Sequence, residues 1–395
     1  MGMGDYSTNI LSHRMEEVRE EYPAPFQSTF SSRDAILFAL SLGYGSCPDS
    51  YNEELRYVWE DHPEFCIVPT FAFAILFWAV PYNELRPPPS NNQRQLPEFP
   101  PPFMRRQGLV PPQCLVSEQA ASSLDEYPVL HTWQCIQWHY PLTAKTATKA
   151  TSARGGGKYE YGCGVQARFL SVIPKSIGTF VTTETSISEL ANASMPLCTI
   201  QSTTLIFGLD SELVKPIQKK KTMHDASPHQ PQQKIPSDQQ HSPHFEQKIH
   251  VGINQALLYR LASGDSNRIH VDPESLPPSL AMDDNDDGRS AKRPILHGLA
   301  TLGMAARVIE QFACTKIGSP LLFDLVHLEA RFTKPVFLGE ELRVSCWWLS
   351  PPPLSPSFSL KNSEHVIVFR VTKIASDEIS IDNGFAKVMI NKAKL

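Results

Sequence analysis

Two segments of the chain, 221 positions apart, share one pattern of apolar residues. Residues 35–43 (AILFALSLG) align without gaps on residues 256–264 (ALLYRLASG). Each segment predicts a short amphipathic helix that ends at a glycine, because glycine adopts the left-handed conformation past a helix end at little cost. An apolar helix is predicted after each copy, over 67–80 and over 295–312. The chain is therefore predicted to contain two distant copies of one unit.

Four strands rich in β-branched and aromatic residues are predicted in each copy. They cover 135–140, 165–173, 179–186 and 199–207 in the first copy, and 325–332, 341–349, 364–374 and 385–390 in the second. A long apolar helix followed by antiparallel strands is typical of a helix wrapped by a sheet. We therefore predict an α+β protein in which two helix-plus-sheet units pack side by side.

Two polar stretches interrupt the apolar pattern. Residues 87–112 contain nine prolines and predict an extended surface loop, since proline removes backbone donors and blocks helices. Residues 215–248 are rich in Gln, Lys, His, Pro, Ser and Asp, and they offer too little apolar surface to offset the entropy of ordering. We predict a disordered linker there, which separates an N-terminal unit, 1–214, from a C-terminal unit, 249–395.

The composition predicts a globular chain that has no nucleic-acid partner. Hydrophobic residues make up 41%, charged residues 19%, and the net charge is −5, whereas binding to a duplex requires a clustered positive surface. The most apolar stretch, 65–80, contains Pro69 and is shorter than the roughly 20 residues of a membrane span. The eight cysteines show no CxxC spacing, so neither a disulfide framework nor a zinc site is predicted. Their scattered positions predict a reducing compartment.

The segment after the second glycine carries side chains that suit acid–base chemistry. Asp265, Asn267 and His270 follow Gly264 directly. Because the chain can turn back past the glycine, a carboxyl group, an amide and an imidazole can meet at one point. An acid and a base beside one water molecule are what the addition of water to a double bond requires. The same residues also suit a helix cap followed by a turn, since Asp and Asn favour such positions.

A second segment, 24 positions past His270, favours the chemical interpretation. Pro294 suits the first turn of a helix, and Gly298 allows a ligand to approach the backbone closely. Free N–H groups at the start of a helix stabilise developing negative charge, such as that on a thioester oxygen. Gly298 also suits tight helix packing, and the two roles are compatible.

These two motifs resemble one enzyme family. YRLASGDSNRIHVDP at 259–273, followed by PILHGLATLG at 294–303, is similar to the (R)-specific enoyl-CoA hydratase 2 family. That family is the MaoC-like dehydratase group, which includes the hydratase unit of peroxisomal multifunctional enzyme type 2. The similarity continues over residues 329–339, 33–40, 69–71 and 129–134. The resemblance implies a double hot dog fold, in which each of two repeats has a long central helix wrapped by an antiparallel sheet.

The resemblance also implies a reaction, the reversible hydration of trans-2-enoyl-CoA to (3R)-3-hydroxyacyl-CoA in peroxisomal fatty acid β-oxidation. The catalytic pair corresponds to Asp265 and His270. Asn267 is expected to help place the water, and the Gly298 N–H to hold the thioester oxygen. The expected acyl-CoA contacts are His131, Thr132, Lys175, Ser266, Arg268, Ile269 and Phe332. No metal and no cofactor is expected, and we expect a homodimer.

The chain departs from the family in several places. Arg268 stands where the family usually has proline, and Thr132 and Trp133 replace a Gly-Glu pair. Extra residues around 277–289 lie between the two motifs and beside the expected active site. Two alternatives therefore stay open. One is a thioesterase, because hot dog folds host those as well, and the other is a catalytically silent acyl-CoA binding protein.

The first copy lacks the acid–base pair. The offset of 221 places Tyr44, Ser46 and Asp49 opposite the acid, the amide and the imidazole of the second copy. We therefore expect the first copy to hold substrate, with one active site per chain.

The last three residues match an import signal. Ala393-Lys394-Leu395 is a variant of the C-terminal Ser-Lys-Leu sequence that the peroxisomal import receptor recognises. We expect binding to that receptor and a peroxisomal location.

Overall fold

The computed structural model describes nine parts of the chain. They are residues 26–81, 128–141, 143, 159–190, 192–209, 217–218, 242–276, 293–349 and 364–390. Several predictions concern residues outside these parts. They are the proline-rich loop 87–112, the insertion at 277–289, most of the linker 215–248 and the tripeptide Ala393-Lys394-Leu395.

The described residues form five α-helices and twelve strands. The helices are α1 (Ser32–Ser41), α2 (Tyr51–Val58), α3 (Ala72–Phe77), α4 (Gln255–Ser263) and α5 (Gly298–Ile317). The strands are β1 (Phe26–Ser31), β2 (Val80–Pro81), β3 (Val129–Trp138), β4 (Glu160–Lys175), β5 (Gly178–Glu189), β6 (Asn192–Phe207), β7 (Ile217–Gln218), β8 (Phe245–His250), β9 (Phe323–Phe332), β10 (Glu341–Leu349), β11 (Glu364–Lys373) and β12 (Ile379–Ile390). None of these helices is long and apolar enough to cross a membrane.

The strands form one antiparallel sheet with an internal symmetry. Its order is β2-β1-β4-β5-β6-β3-β9-β12-β11-β10-β8, and β7 pairs with β4. The series β1-β4-β5-β6-β3 of the first half recurs as β8-β10-β11-β12-β9 in the second, and the two series meet where β3 pairs with β9. Each of the eight predicted strands is present, and six of them have equal or longer bounds than predicted. The other two end earlier than predicted, β3 at Trp138 instead of 140 and β11 at Lys373 instead of 374. The α+β double hot dog prediction is confirmed.

The two short helices α1 and α4 occupy equivalent places, as the aligned segments predict. Both are followed by a glycine in the left-handed region, Gly43 at φ 88° and Gly264 at φ 82°. A Cβ atom at Gly264 would also come within 2.8 Å of the Trp78 ring. Glycine is therefore required at this position both by the backbone conformation and by the space.

The central helices of the two halves differ in length. α5 has 20 residues, fourteen of them buried, and it ends at Gly318 in the left-handed conformation. In the first half the helix predicted over 67–80 is reduced to α3, which follows a short 3₁₀ turn, Pro69–Phe71. Proline fixes φ and lacks a backbone donor, so it suits a tight first turn. The expectation of a long central helix in both repeats is therefore wrong for the first.

The prediction of a disordered linker is wrong at its C-terminal end. Residues 245–248, at the end of the predicted linker, belong to β8, which pairs with β10 from Glu341↔His250 to Cys346↔Phe245. Along β8, partly buried and exposed side chains alternate, and Phe245 stacks on Phe312 of α5 with ring centroids 5.3 Å apart. The polar composition of the segment concealed this two-residue alternation, which is the pattern of a half-buried strand.

Candidate active site

The loop after α4 turns the chain back on itself. The Asp265 N–H donates to Ser263 Oγ at 3.1 Å, and the Asn267 N–H donates to Asp265 Oδ1 at 3.1 Å. Asn267 Oδ1 in turn accepts a bond from the Ile269 N–H at 3.4 Å. A 3₁₀ turn then ends at His270. These local bonds are the helix cap and turn that the sequence suggests, and they also bring His270 back beside Asp265.

This loop, the start of α5, the first residues of β3 and the end of β9 surround one cavity. Seven of the eleven predicted site residues line it, namely Asp265, Asn267, His270, Gly298, His131, Thr132 and Phe332. Residues from both halves of the chain therefore contribute to its wall.

The other four predicted contacts lie elsewhere. Lys175 is at the end of β4, with its Nζ 5.0 Å from the centroid of the Phe180 ring. Arg268 is exposed and pairs with Asp272 at 2.6 Å, while Ile269 is buried in a small apolar cluster with Leu276, Ile295 and Phe337. Ser266 belongs to the same loop but not to the cavity lining. Their contacts with acyl-CoA stay predictions.

His270 is held in one tautomer. Its Nδ1 lies 2.9 Å from the backbone oxygen of Ile295, and since a carbonyl oxygen only accepts, Nδ1 carries the proton. The Nε2 atom therefore bears the lone pair. Burial lowers the pKa of His270 to about 4, so the imidazole is neutral at physiological pH and can act as a base.

The pKa of Asp265 is shifted in the opposite direction to that of His270. Its side chain is buried, and this burial raises the pKa of Asp265 to about 7 against the stabilising effect of the Asn267 N–H and of Arg260. A carboxyl group with this pKa can carry a proton near neutral pH. The cavity thus contains a neutral base and a carboxylic acid side by side, which is the arrangement that acid–base catalysis uses.

His297, the residue before Gly298, belongs to the site although the sequence analysis gave it no role. It is almost fully buried, and its ring stacks on that of His270 with centroids 3.7 Å apart. Its Nε2 is 4.0 Å from Asp265 Oδ2. Burial and the neighbouring His270 keep the pKa of His297 well below the usual value. Its place directly before Gly298 in the motif was the available signal.

The ligand atoms of Asp265, His270 and His297 all lie within 4.8 Å of one another, close enough to hold a metal ion. However, the two imidazole planes are only 27° from parallel. In stacked rings the lone pairs lie in nearly parallel planes and do not converge on one ion. The geometry favours an acid–base site over a metal centre.

Gly298 begins α5 and faces Phe332 of β9. A Cβ atom at this glycine would meet the Phe332 ring at 3.4 Å, an ordinary contact distance, so a methyl group fits but fills part of the cavity. The helix start brings backbone N–H groups to the cavity wall, where they favour negative charge.

The opposite wall is formed by a β-bulge in β3. The pairing with β6 shifts between His131 and Trp133, which leaves Thr132 as the extra residue, and bulges of this kind redirect side chains. Thr132 Oγ1 donates to the Thr203 backbone oxygen at 3.0 Å, and burial lowers the pKa of His131 to about 4. Trp133 donates through Nε1 to Glu329 at 3.0 Å. The two residues that depart from the family pattern are therefore well accommodated.

The equivalent place in the first half is occupied by a different network. Tyr44 donates to Glu310 Oε2 at 2.7 Å, and Tyr57 donates to Glu310 Oε1 at 3.1 Å. Ser46 donates to the backbone oxygen of Gly43 at 2.6 Å, and Asp49 is exposed. The acid–base pair of the second copy thus has no counterpart at these positions of the first.

The chain is similar to known proteins in sequence and in fold. Residues 234–350 match the family described as MaoC like domain. The chain is 24% identical over 375 residues to the peroxisomal hydratase-dehydrogenase-epimerase of Saccharomyces cerevisiae, and the match covers 93% of this chain but 31% of that protein. It is 43% identical over 94 residues to the peroxisomal enoyl-CoA hydratase 2 of Arabidopsis thaliana, covering 24% of this chain and 26% of that one.

Solved structures support the fold. The crystal structure of a MaoC-like dehydratase from Phytophthora capsici superposes with a TM-score of 0.61 at 20% identity, covering 94% of this chain and 95% of that one. Residues 234–350 thus resemble a MaoC like domain, and the chain has a double hot dog fold.

Proposed function

We propose that this protein is a hydro-lyase that adds water reversibly to a trans-2-enoyl-CoA to give a (3R)-3-hydroxyacyl-CoA. The observation that carries the proposal is the pair of buried groups with opposite pKa shifts, Asp265 and His270, which face one cavity beside Gly298. The names of the relatives from yeast and Arabidopsis, both hydratases, support the same chemistry.

In this mechanism His270 Nε2 takes a proton from a water molecule that Asn267 helps to place. The water oxygen forms a bond to C3 of the enoyl group, and the electron pair of the double bond moves toward the thioester oxygen. The Gly298 N–H stabilises the charge on that oxygen. Asp265 then delivers its proton to C2. Both groups act from one wall, so addition is syn, and the proton on His270 returns to Asp265 to reset the site.

The first half contributes the opposite wall of the cavity. His131 and Thr132 of β3 lie across from the catalytic loop, and Phe332 of β9 adjoins Gly298. This placement supports a substrate-holding role for the first copy and one active site per chain. We further propose that Lys175 contacts the CoA phosphates and that the enzyme is a homodimer.

The proposal is tested by adding purified protein to trans-2-decenoyl-CoA. Loss of the conjugated-enoyl absorbance, with the 3R alcohol as product, is the expected result. Absence of turnover with short, medium and long enoyl-CoAs would contradict the hydratase assignment and favour a silent acyl-CoA binding protein. Release of free CoA thiol without loss of the double bond would instead identify a thioesterase.

We also propose a peroxisomal location and a part in fatty acid β-oxidation. The support is the peroxisomal name of both relatives and the match of Ala393-Lys394-Leu395 to an import signal. A fluorescent protein fused before the chain should colocalise with a peroxisomal marker, and the same fusion with Leu395 replaced by Ser should not.

A further inference from the structure

Three side chains with metal-binding atoms face one another where the two halves of the sheet join. Cys135 of β3 pairs across the strands with Glu329 of β9, and His327 lies two residues before Glu329 on the same face of β9. Cys135 Sγ is 3.8 Å from His327 Nε2, and this Nε2 is 3.6 Å from Glu329 Oε2. The three ligand atoms lie within 4.8 Å of one another. This cluster, Cys135–His327–Glu329, has no part in the proposed hydration.

The cluster lies on the opposite side of the sheet from the central helix. Leu328 and Ala330, the residues on either side of Glu329, are buried in the core, and successive side chains of a strand alternate between faces. Phe332 points to the inner face by the same alternation, and it lines the cavity of the candidate active site. The two sites therefore lie on opposite faces of β9.

A neighbouring glutamine orients the imidazole of His327. Gln137 Nε2 donates to the Val326 backbone oxygen at 2.9 Å, so the Gln137 atom that faces His327 is Oε1. The amide oxygen only accepts, and His327 Nδ1, 2.9 Å away, must therefore carry the proton. Nε2 is then the ring nitrogen left for a metal ion, and it faces Cys135 and Glu329. Histidines that bind a metal through one ring nitrogen usually donate a hydrogen bond from the other, as His327 Nδ1 does here.

Glu329 is oriented in the same way. Its Oε1 accepts a hydrogen bond from Trp133 Nε1 at 3.0 Å, and its Oε2 faces His327. Glu329 Oε2 and His327 Nε2 thus face each other across 3.6 Å. The side chains of His327 and Glu329 are only 14% and 16% exposed, so water screens a charge placed between them poorly. A cation at this point therefore interacts strongly with the carboxylate.

We propose that Cys135, His327 and Glu329 bind a divalent zinc-class ion, with water as the fourth ligand. Tetrahedral bonds of about 2.3 Å to sulfur and about 2.0–2.1 Å to nitrogen and oxygen require ligand atoms about 3.6 Å and about 3.4 Å apart. The observed separations of 3.8 and 3.6 Å differ from these by about 0.2 Å. On binding, the sulfur–metal bond replaces the S–H bond of Cys135, and the proton leaves to solvent.

Such an ion links the two halves of the chain. Cys135 belongs to the first half and His327 and Glu329 to the second, and β3·β9 is the pairing that joins the two series of strands. The cysteine and the histidine are 192 positions apart in the chain, so no short spacing motif in the sequence marks this site.

Titration of the metal-free protein with Co²⁺ alone tests the proposal. We expect one equivalent to bind with the absorption of a thiolate-to-cobalt charge transfer, because one ligand is a sulfur. The Asp265–His270–His297 cluster contains no sulfur and cannot produce this absorption. Absence of the thiolate band in the unaltered protein would overturn the proposal, whatever the variants do.

Three variants locate the site. Cys135→Ser should lose the thiolate band, and Gln137→Met, which releases the orientation of His327, should weaken Co²⁺ binding about 10–100-fold. Cys47→Ser, a partly exposed cysteine outside the cluster, should keep both the band and the affinity. Retention of the band in Cys135→Ser would contradict the assignment.

Stability provides an independent readout. Zn²⁺ should raise the melting temperature of the unaltered protein and of Cys47→Ser, and it should leave that of Cys135→Ser unchanged. Turnover of the enoyl-CoA should be the same in all three proteins, because the cluster and the cavity lie on opposite faces of the sheet. An equal rise in all three would place the stabilising ion elsewhere.

Discussion

Tyr44 of the first half donates a 2.7 Å hydrogen bond to Oε2 of Glu310, on the central helix of the second half. The aligned position of the second copy is Asp265, the proposed acid. At the same position of the repeat, Asp265 of the second copy is proposed to transfer a proton, whereas Tyr44 of the first copy bonds the two halves together. Burial raises the pKa of Glu310 to about 7, and the two tyrosine hydroxyls supply the bonds that a buried carboxyl group requires.

Replacement of Tyr44 by Phe should therefore lower stability and leave the chemistry intact. At pH 8, above the pKa of Glu310 of about 7, the carboxylate is charged. A hydrogen bond to a charged group contributes about 1.5–3 kcal/mol, so we expect a loss of this size in the free energy of unfolding in urea at that pH. The rate of hydration per folded molecule should not change. Tyr51→Phe, at an exposed tyrosine, is the control, and a similar loss there would remove the special role of Tyr44.

Replacement of His270 by Ala should strongly reduce hydration while the protein stays folded. General-base catalysis contributes about 10²–10⁴-fold, and kcat should fall by that factor with the far-ultraviolet circular dichroism unchanged. His62→Ala, at a histidine of the first half far along the chain from the catalytic loop, should keep full activity. Near-normal turnover by His270→Ala would exclude the imidazole as the base.

The pH dependence of kcat/KM should have two limbs. His270 must be neutral, so activity rises as pH passes the pKa of about 4. Asp265 must be protonated, so activity falls as pH passes the pKa of about 7. Asp265→Asn cannot lose a proton, and its residual activity should lack the alkaline limb. An alkaline limb that persists in this variant would assign it to another group.

Asp265→Asn should also gain stability at alkaline pH. The pKa of Asp265 is raised by folding from 3.8 to about 7, so the folded state binds the proton more tightly and is destabilised as pH rises through this window. At pH 8 the variant should be more stable than the unaltered protein by about 2–4 kcal/mol. At pH 4, close to the unfolded-state pKa of 3.8, the difference should fall below about 1 kcal/mol. Urea unfolding at both values measures it, with the exposed Asp49→Asn as control.

Gly298→Ala should reduce hydration through the added methyl group. The methyl fits against Phe332 at 3.4 Å, so the fold should be retained, but it occupies space in front of the helix start where the thioester oxygen is proposed to bind. We expect kcat/KM to fall about 10²-fold, within the range for loss of an oxyanion contact. A second substitution, Phe332→Leu, removes the contact between the new methyl group and the ring. It leaves the methyl group in the space proposed for the thioester oxygen. Recovery in the double variant would attribute the effect to packing instead.

Much of the fold was predictable because the same pattern of apolar residues occurs in both copies of the repeat. The aligned glycines Gly43 and Gly264 and the alternating strands follow from local rules that residues obey irrespective of context. The short helix α3 did not follow, since Pro69 decides where its first turn begins. Strand β8 was missed because the polar residue Gln247 stands between Phe245 and Ile249 on the partly buried face, so only two of its residues show the apolar alternation.

That Asp265, Asn267 and His270 line one cavity was predictable for a similar reason, as the three are neighbours in sequence. His297 was not, because its stacking on His270 depends on how α5 packs against the loop. The cluster of Cys135, His327 and Glu329 depends on which strands pair at the junction. Contacts of this kind arise only from tertiary structure.

The pairing of β3 with β9 has a consequence for any attempt to divide this protein. Each of these strands would be an open edge in an isolated half, with unpaired backbone groups that recruit other strands. In the intact chain each half covers the edge of the other. A C-terminal half produced alone would expose β9 and would associate with a second copy of itself, or aggregate, to cover it. The proposed catalytic residues lie in one half, yet neither half is expected to stay soluble without the other.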